Sequence, residues 1–326
     1  MSNNDNFNPP FYLRNGYIQT ILASNKVRAR GDNPMVAQEK EHILDVGGGV
    51  RLQGFLSLQK DRPARGVVVL LPGWEGNAGS CYMLTTGRYL YRKGYDIFRL
   101  NYRDHGETHH LNEEIFYAAQ LDEVFESVRQ GIALGSGLPA FILGFSLGGN
   151  FALRIACRCA SEPLENLREI VAISPLINPD KSTTRVDETW LFRWYFLKKW
   201  KRSLAKKQQL FPQLYDFHEV LSKNTLREAT EFLIHQFGVY QGALDYFMTY
   251  TLTNGALKDI AVPTTIITSR DDPVIPVDDF FRLQLNELTR LSIQRFGGHC
   301  GFLEKFPVPA WYEPRLVDIF ENSIKS

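Results

Sequence analysis

The chain has 326 residues, of which 44% are hydrophobic and 22% charged, and its 37 Lys plus Arg against 36 Asp plus Glu give a formal net charge of +1. That is a globular composition, too rich in aromatics for disorder and too near neutrality for a dedicated nucleic-acid binder, so no nucleic-acid partner is expected. Four scattered cysteines (Cys81, Cys157, Cys159 and Cys300) make no disulfide framework. The polar Met1 to Asn6 stretch has no signal-peptide pattern. Both features point to a reduced, cytoplasmic setting, and no apolar run reaches the length of about eighteen residues that predicts a membrane-spanning helix.

In chain order, residues 1–40 read as an irregular arm, broken by Pro9-Pro10 and Pro34. His42 to Val46 and Val50 to Leu58 flank Gly47-Gly48-Gly49, the pattern of a hairpin. Gly66 to Leu71 is a continuous β-branched and aliphatic run, expected of a strand buried on both faces. A helix is predicted over Tyr82 to Lys93, stopped by Gly94, then a strand over Tyr95 to Leu100. Glu113 to Leu134 reads as one long helix with Leu121, Val124, Phe125 and Val128 on one face. Ala140 to Gly144 is a strand, Leu147 to Cys159 a helix, and Glu169 to Ile173 a strand.

After Pro175 the alternation stops. Residues 179–257 are helical in pattern, aromatic and basic, and too long for a structureless loop. Alternation resumes with a strand over Thr264 to Thr268, a helix over Val277 to Leu285, a strand over Leu291 to Phe296 and a closing helix over Pro309 to Ile324. Strands alternating with helices predict an α/β fold, a mostly parallel sheet covered by helices on both faces. The expected division is an arm at 1–40, a core at 41–178 and 258–326, and a helical cap at 179–257 over the C-terminal edge of the sheet, where open α/β folds bind ligands.

Gly144-Phe145-Ser146-Leu147-Gly148 is a G-x-S-x-G pattern between a predicted strand and a predicted helix. Such a turn strains the serine backbone and presents its hydroxyl at a helix N-terminus, so Ser146 is the expected nucleophile. A serine hydroxyl needs a base. Of seven histidines, His299 in Gly297-Gly298-His299 follows the last predicted strand, where a Ser, acid, His order puts the base. The acid should follow the strand before it. There Asp271 and Asp272 are adjacent; Asp272, fixed by Pro273, is the expected triad member, and Asp271 reads as a turn residue. The oxyanion donors should be the backbone N–H groups of Leu147 and of Trp74, in the Pro72-Gly73-Trp74-Glu75-Gly76 loop.

These residues resemble a known family. The sequence looks like an α/β-hydrolase of the YheT-like group, related to the eukaryotic ABHD lipid hydrolases. Asn15-Gly16-Tyr17-Ile18-Gln19-Thr20 is similar to the group's amino-terminal N-G-H-x-Q-T signature, and Gly144 to Asn150 to its nucleophile motif. Trp200 to Leu204 is similar to its cap text, and Asp271-Asp272-Pro273 and Gly297-Gly298-His299 to its acid and base motifs. The resemblance implies carboxylic ester hydrolysis by Ser146, Asp272 and His299. Two departures stand out: Pro72-Gly73 replaces the usual His-Gly at the oxyanion loop, and Asp104-His105-Gly106 follows Asn101-Tyr102-Arg103 where the family has Asn-x-Arg-Gly. Eukaryotic relatives often carry a membrane anchor before the domain, and none is seen here, which suggests a soluble protein.

His109-His110 shows no metal-ligand spacing, and no metal or other cofactor is expected. Trp190 to Lys207 is basic on one face and aromatic on another, either a cap helix or a helix that lies on a membrane surface. Its Trp194 and Phe196 are expected to line a pocket for an apolar acyl or alkyl group. The function expected is a serine hydrolase acting on a small-molecule ester through an acyl-enzyme. Acyl transfer by the same triad is the alternative, and a non-catalytic binding scaffold a lesser one. Substrate length and oligomeric state have no signal in the sequence.

Overall fold

The computed structural model describes residues 6–237, 240–307 and 309–325. Two short helices, α1 (Gly16–Ala23) and α2 (Pro34–Ala37), precede a hairpin of β1 (Glu39–Asp45) and β2 (Arg51–Ser57). The hairpin runs in register from Glu39 opposite Ser57 to Asp45 opposite Arg51. Gly47, Gly48 and Gly49 all have positive φ (89°, 61° and 80°), a conformation that a side chain would strain. There follow β3 (Val67–Leu71), α3 (Cys81–Arg92), β4 (Asp96–Asn101), α4 (Leu121–Ala133), β5 (Ala140–Phe145), α5 (Leu147–Arg158) and β6 (Leu167–Ile173). Five helices come next: α6 (Pro179–Glu188), α7 (Trp190–Leu210), α8 (His218–Ser222), α9 (Leu226–Phe237) and α10 (Ala243–Met248). The chain then gives β7 (Thr264–Ser269), β8 (Thr289–Gln294) and α11 (Tyr312–Lys325).

The eight strands form one sheet in the order β1-β2-β4-β3-β5-β6-β7-β8. β2 is antiparallel to both neighbours, and every pair from β4 to β8 is parallel. Side chains alternate across a strand, so the central strands feed two cores. Val67, Val69, Leu71, Ile142, Ile170 and Ile266 pack on the side of α4 and α5. Val68, Leu70, Phe141, Leu143, Val171 and Ile267 pack on the other side with Met83, Leu316 and Phe320. Because both faces are covered, the inner strands are apolar throughout, which is why their sequences show no alternation. The order turns back at β3, with β4 on one side and β5 on the other, so the loops after β3 and β5 border one crevice.

Three predicted elements need correction. The long helix starts at Leu121, not Glu113. Residues 113–120 are irregular because other groups take their backbone: Phe116 N–H donates to Asp104, Ala118 N–H to the Tyr246 hydroxyl, and Lys207 Nζ donates to the carbonyls of Asn112 and Glu114. The predicted helix over Val277 to Leu285 is a six-residue 3-10 stretch, Val277–Arg282. It buries only Asp279 and Phe280, and Lys181 holds the Asp279 carboxylate at 2.5 Å, so one turn is anchored and no more. The irregular arm contains α1, which Asn15 caps by accepting from the N–H groups of Tyr17 and Ile18 at 3.0 and 3.1 Å.

Candidate active site

Ser146 stands between β5 and α5 with φ 54° and ψ −114°, a region non-glycine residues rarely adopt. The turn closes because its flanking residues lack side chains. A Cβ on Gly144 would lie 2.1 Å from the Gly148 carbonyl oxygen, and one on Gly148 would lie 2.2 Å from that of Leu71. Ser146 N–H donates to Ile173 O at 3.0 Å, tying the turn to β6.

His299 follows β8 on a loop whose Gly297 and Gly298 have φ of 149° and 56°. Its Nδ1 lies 2.9 Å from Asp272 Oδ2. With an ionised carboxylate the proton sits on Nδ1, leaving Nε2 as the acceptor. Asp272 Oδ1 accepts from Val274 and Ile275 N–H at 2.8 and 2.9 Å, so both its oxygens are engaged. Asp271 does something else: its Oδ1 accepts from Gly298 N–H at 2.9 Å and so braces the histidine loop. Ser146, His299, Trp74 and Leu147 line one cavity of about 1160 Å³.

The arm supplies the other side of this loop. His299 N–H donates to Thr20 Oγ1 at 2.8 Å. Gln19, fully buried, donates to the carbonyls of Leu13 and Leu303 and accepts from Leu303 N–H at 2.8 Å. A Cβ on Gly16 would meet the Asp271 carbonyl oxygen at 1.9 Å, which accounts for the glycine. The Gly16, Gln19 and Thr20 positions of the signature therefore all act on the histidine and aspartate loops.

The loop after β3 is fixed from three sides. Gly73 N–H donates to the Tyr82 hydroxyl at 2.9 Å, Glu75 N–H to His105 Nε2 at 3.1 Å, and Lys199 Nζ donates to Glu75 O at 2.6 Å. Burial lowers the His105 pKa to about 4, so the ring is neutral at pH 7. Its Nδ1–H donates to Arg103 O at 2.8 Å, which leaves Nε2 to accept. Among the described residues neither Trp74 N–H nor Leu147 N–H donates to any group. The Trp74 ring stacks on Phe196 at 5.8 Å and meets the edge of Trp200 at 5.3 Å. Burial raises the Glu75 carboxyl to a pKa of about 8, which keeps it mostly neutral at pH 7.

Trp194 and Phe196 both line the cavity, as do Leu226, Leu233, Ile234 and Phe247 from the α9 and α10 region. Cys300 is buried beside His299, and burial pushes its thiol pKa up, so it stays protonated. Sequence reasoning missed Tyr82, His105 and Lys199 as supports of the Trp74 loop. Gln19 and Thr20 stand out in the sequence only as a motif, with no sign of the contacts they make.

This sheet, with its two covered faces and a strained serine turn after its fifth strand, is the α/β-hydrolase fold. Residues 62–291 match the family model Hydrolase_4, described as serine aminopeptidase, S33, and the chain belongs to that family. An abhydrolase domain-containing protein of Dictyostelium discoideum is 21% identical over 98% of this chain and 81% of its own length. A Synechocystis sp. protein whose name proposes an esterase is 24% identical, covering 92% of this chain and 88% of its own. Among solved structures, the Pyrococcus furiosus esterase Pf2001 superposes with a TM-score of 0.53 at 18% identity, over 87% of this chain and 91% of that one. No helix among the described residues is long and apolar enough to cross a membrane.

Proposed function

We propose that this hydrolase cleaves carboxylic esters through an acyl-enzyme on Ser146, as a YheT-like member of its family. The observation that carries the reading is the His299 to Asp272 contact of 2.9 Å in a loop that shares one cavity with Ser146. His299 Nε2 takes the serine proton as Oγ attacks the ester carbonyl. The tetrahedral oxyanion forms between the N–H groups of Trp74 and Leu147, each worth roughly 10²- to 10³-fold in rate. The imidazolium, held by Asp272, then protonates the leaving alkoxide, and water enters by the same base catalysis to release the acid.

Residues 179–257 act as a cap in this reading, with α6, α7, α9 and α10 closing an apolar cavity for the acyl or alkyl group. The four free cysteines support a reduced, cytoplasmic site of action. Acyl transfer to an alcohol or amine uses the same intermediate, and product analysis separates it from hydrolysis. The experiment is a comparison of nitrophenyl esters with amino-acid anilides, using the native chain and Ser146→Ala. Ester hydrolysis should fall by up to about 10⁶-fold in the variant. Preference for the anilides, or ester turnover surviving in Ser146→Ala, overturns the proposal.

A further inference from the structure

The cations of this chain are unevenly distributed. Residues 6–31 hold four Lys or Arg and no Asp or Glu; residues 189–214 hold seven and again none. Setting those eleven aside leaves 26 Lys plus Arg against 36 Asp plus Glu in the rest of the sequence. The fold joins the two segments. Tyr17 on α1 stacks on Phe192 of α7, with ring centroids 5.5 Å apart and planes at 9°.

The outer faces of the joined helices are apolar as well as basic. Tyr17, Ile18 and Ile21 are 42%, 41% and 49% exposed, and Trp190, Trp194 and Tyr195 are 69%, 55% and 40% exposed. Six large apolar side chains on two contacting helices are more than the scattered exposure common on protein surfaces. Ile21, Trp194 and Tyr195, all exposed, also line the cavity, together with the exposed Lys26 and Arg30, so the patch borders an opening of the cavity. Lys198 Nζ sits 4.8 Å above the Trp194 ring and Lys199 Nζ 5.3 Å above Tyr195. Lys206 and Lys207 are neutralised by Glu107 and Asp104. Lys26, Arg30, Lys198, Lys201 and Arg202 form no ion pair among the described residues. The exposed carboxylate nearest in sequence is Glu188, before Trp190.

We propose that the outer faces of α1 and of the first half of α7 are a docking surface for an anionic lipid bilayer, seating the cavity mouth in the headgroup layer. Indole and phenol rings suit the depth where hydrocarbon meets headgroup, and lysines beside them meet anionic phosphates while their stems stay apolar. A second copy of the chain fits this surface poorly, because a two-fold interface would bring the basic segments against each other. That the docked cavity draws its substrate from the bilayer rests on the esterase reading; the docking itself does not.

The test is flotation of the full chain with phosphatidylcholine vesicles, with and without about 30% phosphatidylglycerol. Binding should be at least about tenfold stronger to the anionic vesicles and should fall by at least about tenfold at 0.5 M salt, where the Debye length shrinks to about 4 Å. Ile18→Ser with Trp190→Ser should weaken binding about tenfold, as should Lys198→Glu with Lys201→Glu. None of these four residues lines the cavity, so turnover of a soluble acetyl ester should be unchanged and reports that the variants are folded. Failure of the native chain to float with anionic vesicles at low salt overturns the proposal. So does undiminished binding by either double variant, or a dimer in sedimentation that the same substitutions dissociate. Flotation without any ester turnover defeats the esterase reading alone.

Discussion

Thr20 Oγ1 accepts the backbone N–H of His299 at 2.8 Å, across 279 positions of sequence. The same hydroxyl donates to Gly16 O at 2.6 Å, so one side chain links the start of α1 to the loop that carries His299. Val has the shape of Thr without the acceptor. Thr20→Val should therefore leave a partly buried N–H unpaired, at a cost of about 1–3 kcal/mol. In the proposed mechanism the cost appears as a misplaced imidazole. The expected result is a kcat about tenfold lower with KM nearly unchanged, restored by Thr20→Ser. A variant that loses thermal stability while keeping its kcat would show that Thr20 is structural only.

The neighbouring aspartates separate in the same way. Asp272 faces the His299 ring, whereas Asp271 faces the Gly298 backbone. Asp272→Asn should favour the wrong imidazole tautomer and slow acylation by roughly 10⁴-fold. Asp271→Asn retains an oxygen for Gly298 N–H and should cost less than about tenfold. Pre-steady-state bursts with a nitrophenyl ester measure both, and the reverse ranking would transfer the triad role to Asp271.

The parts of this site that could be read from the sequence are those encoded locally. A serine between two glycines, with a buried strand before and an amphipathic helix after, specifies its own turn. Gly297-Gly298 and Pro273 likewise mark the histidine and aspartate loops. Thr20, His105 and Lys199 carry no local sign of their partners, because each contact is made by tertiary packing: residue 20 with 299, 105 with 75, 199 with 75. Periodicity misled at residues 113–120, where Ile115 and Tyr117 are buried against the helices after β6 and do not continue the face of α4. The prolines around the arm hid α1, whose start depends on a single Asn15 cap.

Trp194 and Phe196 are equivalent pocket candidates in the sequence, and their surroundings differ. Trp194 is 55% exposed beneath the Lys198 ammonium, whereas Phe196 stacks on Trp74. Trp194→Ala should alter the preference among ester chain lengths and spare acetyl ester turnover. Phe196→Ala removes a support of the Trp74 loop and should lower kcat on every ester, by about tenfold, because the proposed oxyanion donor is then less well held. Equal effects of the two variants on the acetyl ester would show that the stack does not position Trp74.

Glu169 on β6 gives a prediction for stability that does not depend on catalysis. The residue is 7% exposed, and its carboxyl accepts from Thr265 Oγ1 at 2.9 Å. Burial, the largest influence, raises its pKa from 4.5 to about 7. The native state thus keeps a proton that the unfolded chain releases above pH 4.5, so this contribution to stability is complete below that pH and is lost as pH rises through 7. Glu75 and Glu313, raised by burial to about 8 and about 7, act in the same direction. His105, lowered to about 4, acts oppositely and only on the acid side of neutrality. Glu169→Gln keeps the shape and an acceptor for Thr265 but cannot ionise. Relative to the native chain, its unfolding free energy should therefore rise by about 1–3 kcal/mol between pH 5 and pH 8. Urea unfolding of both proteins across that range measures the difference, and parallel pH profiles would mean that Glu169 is already ionised in the folded state at pH 5.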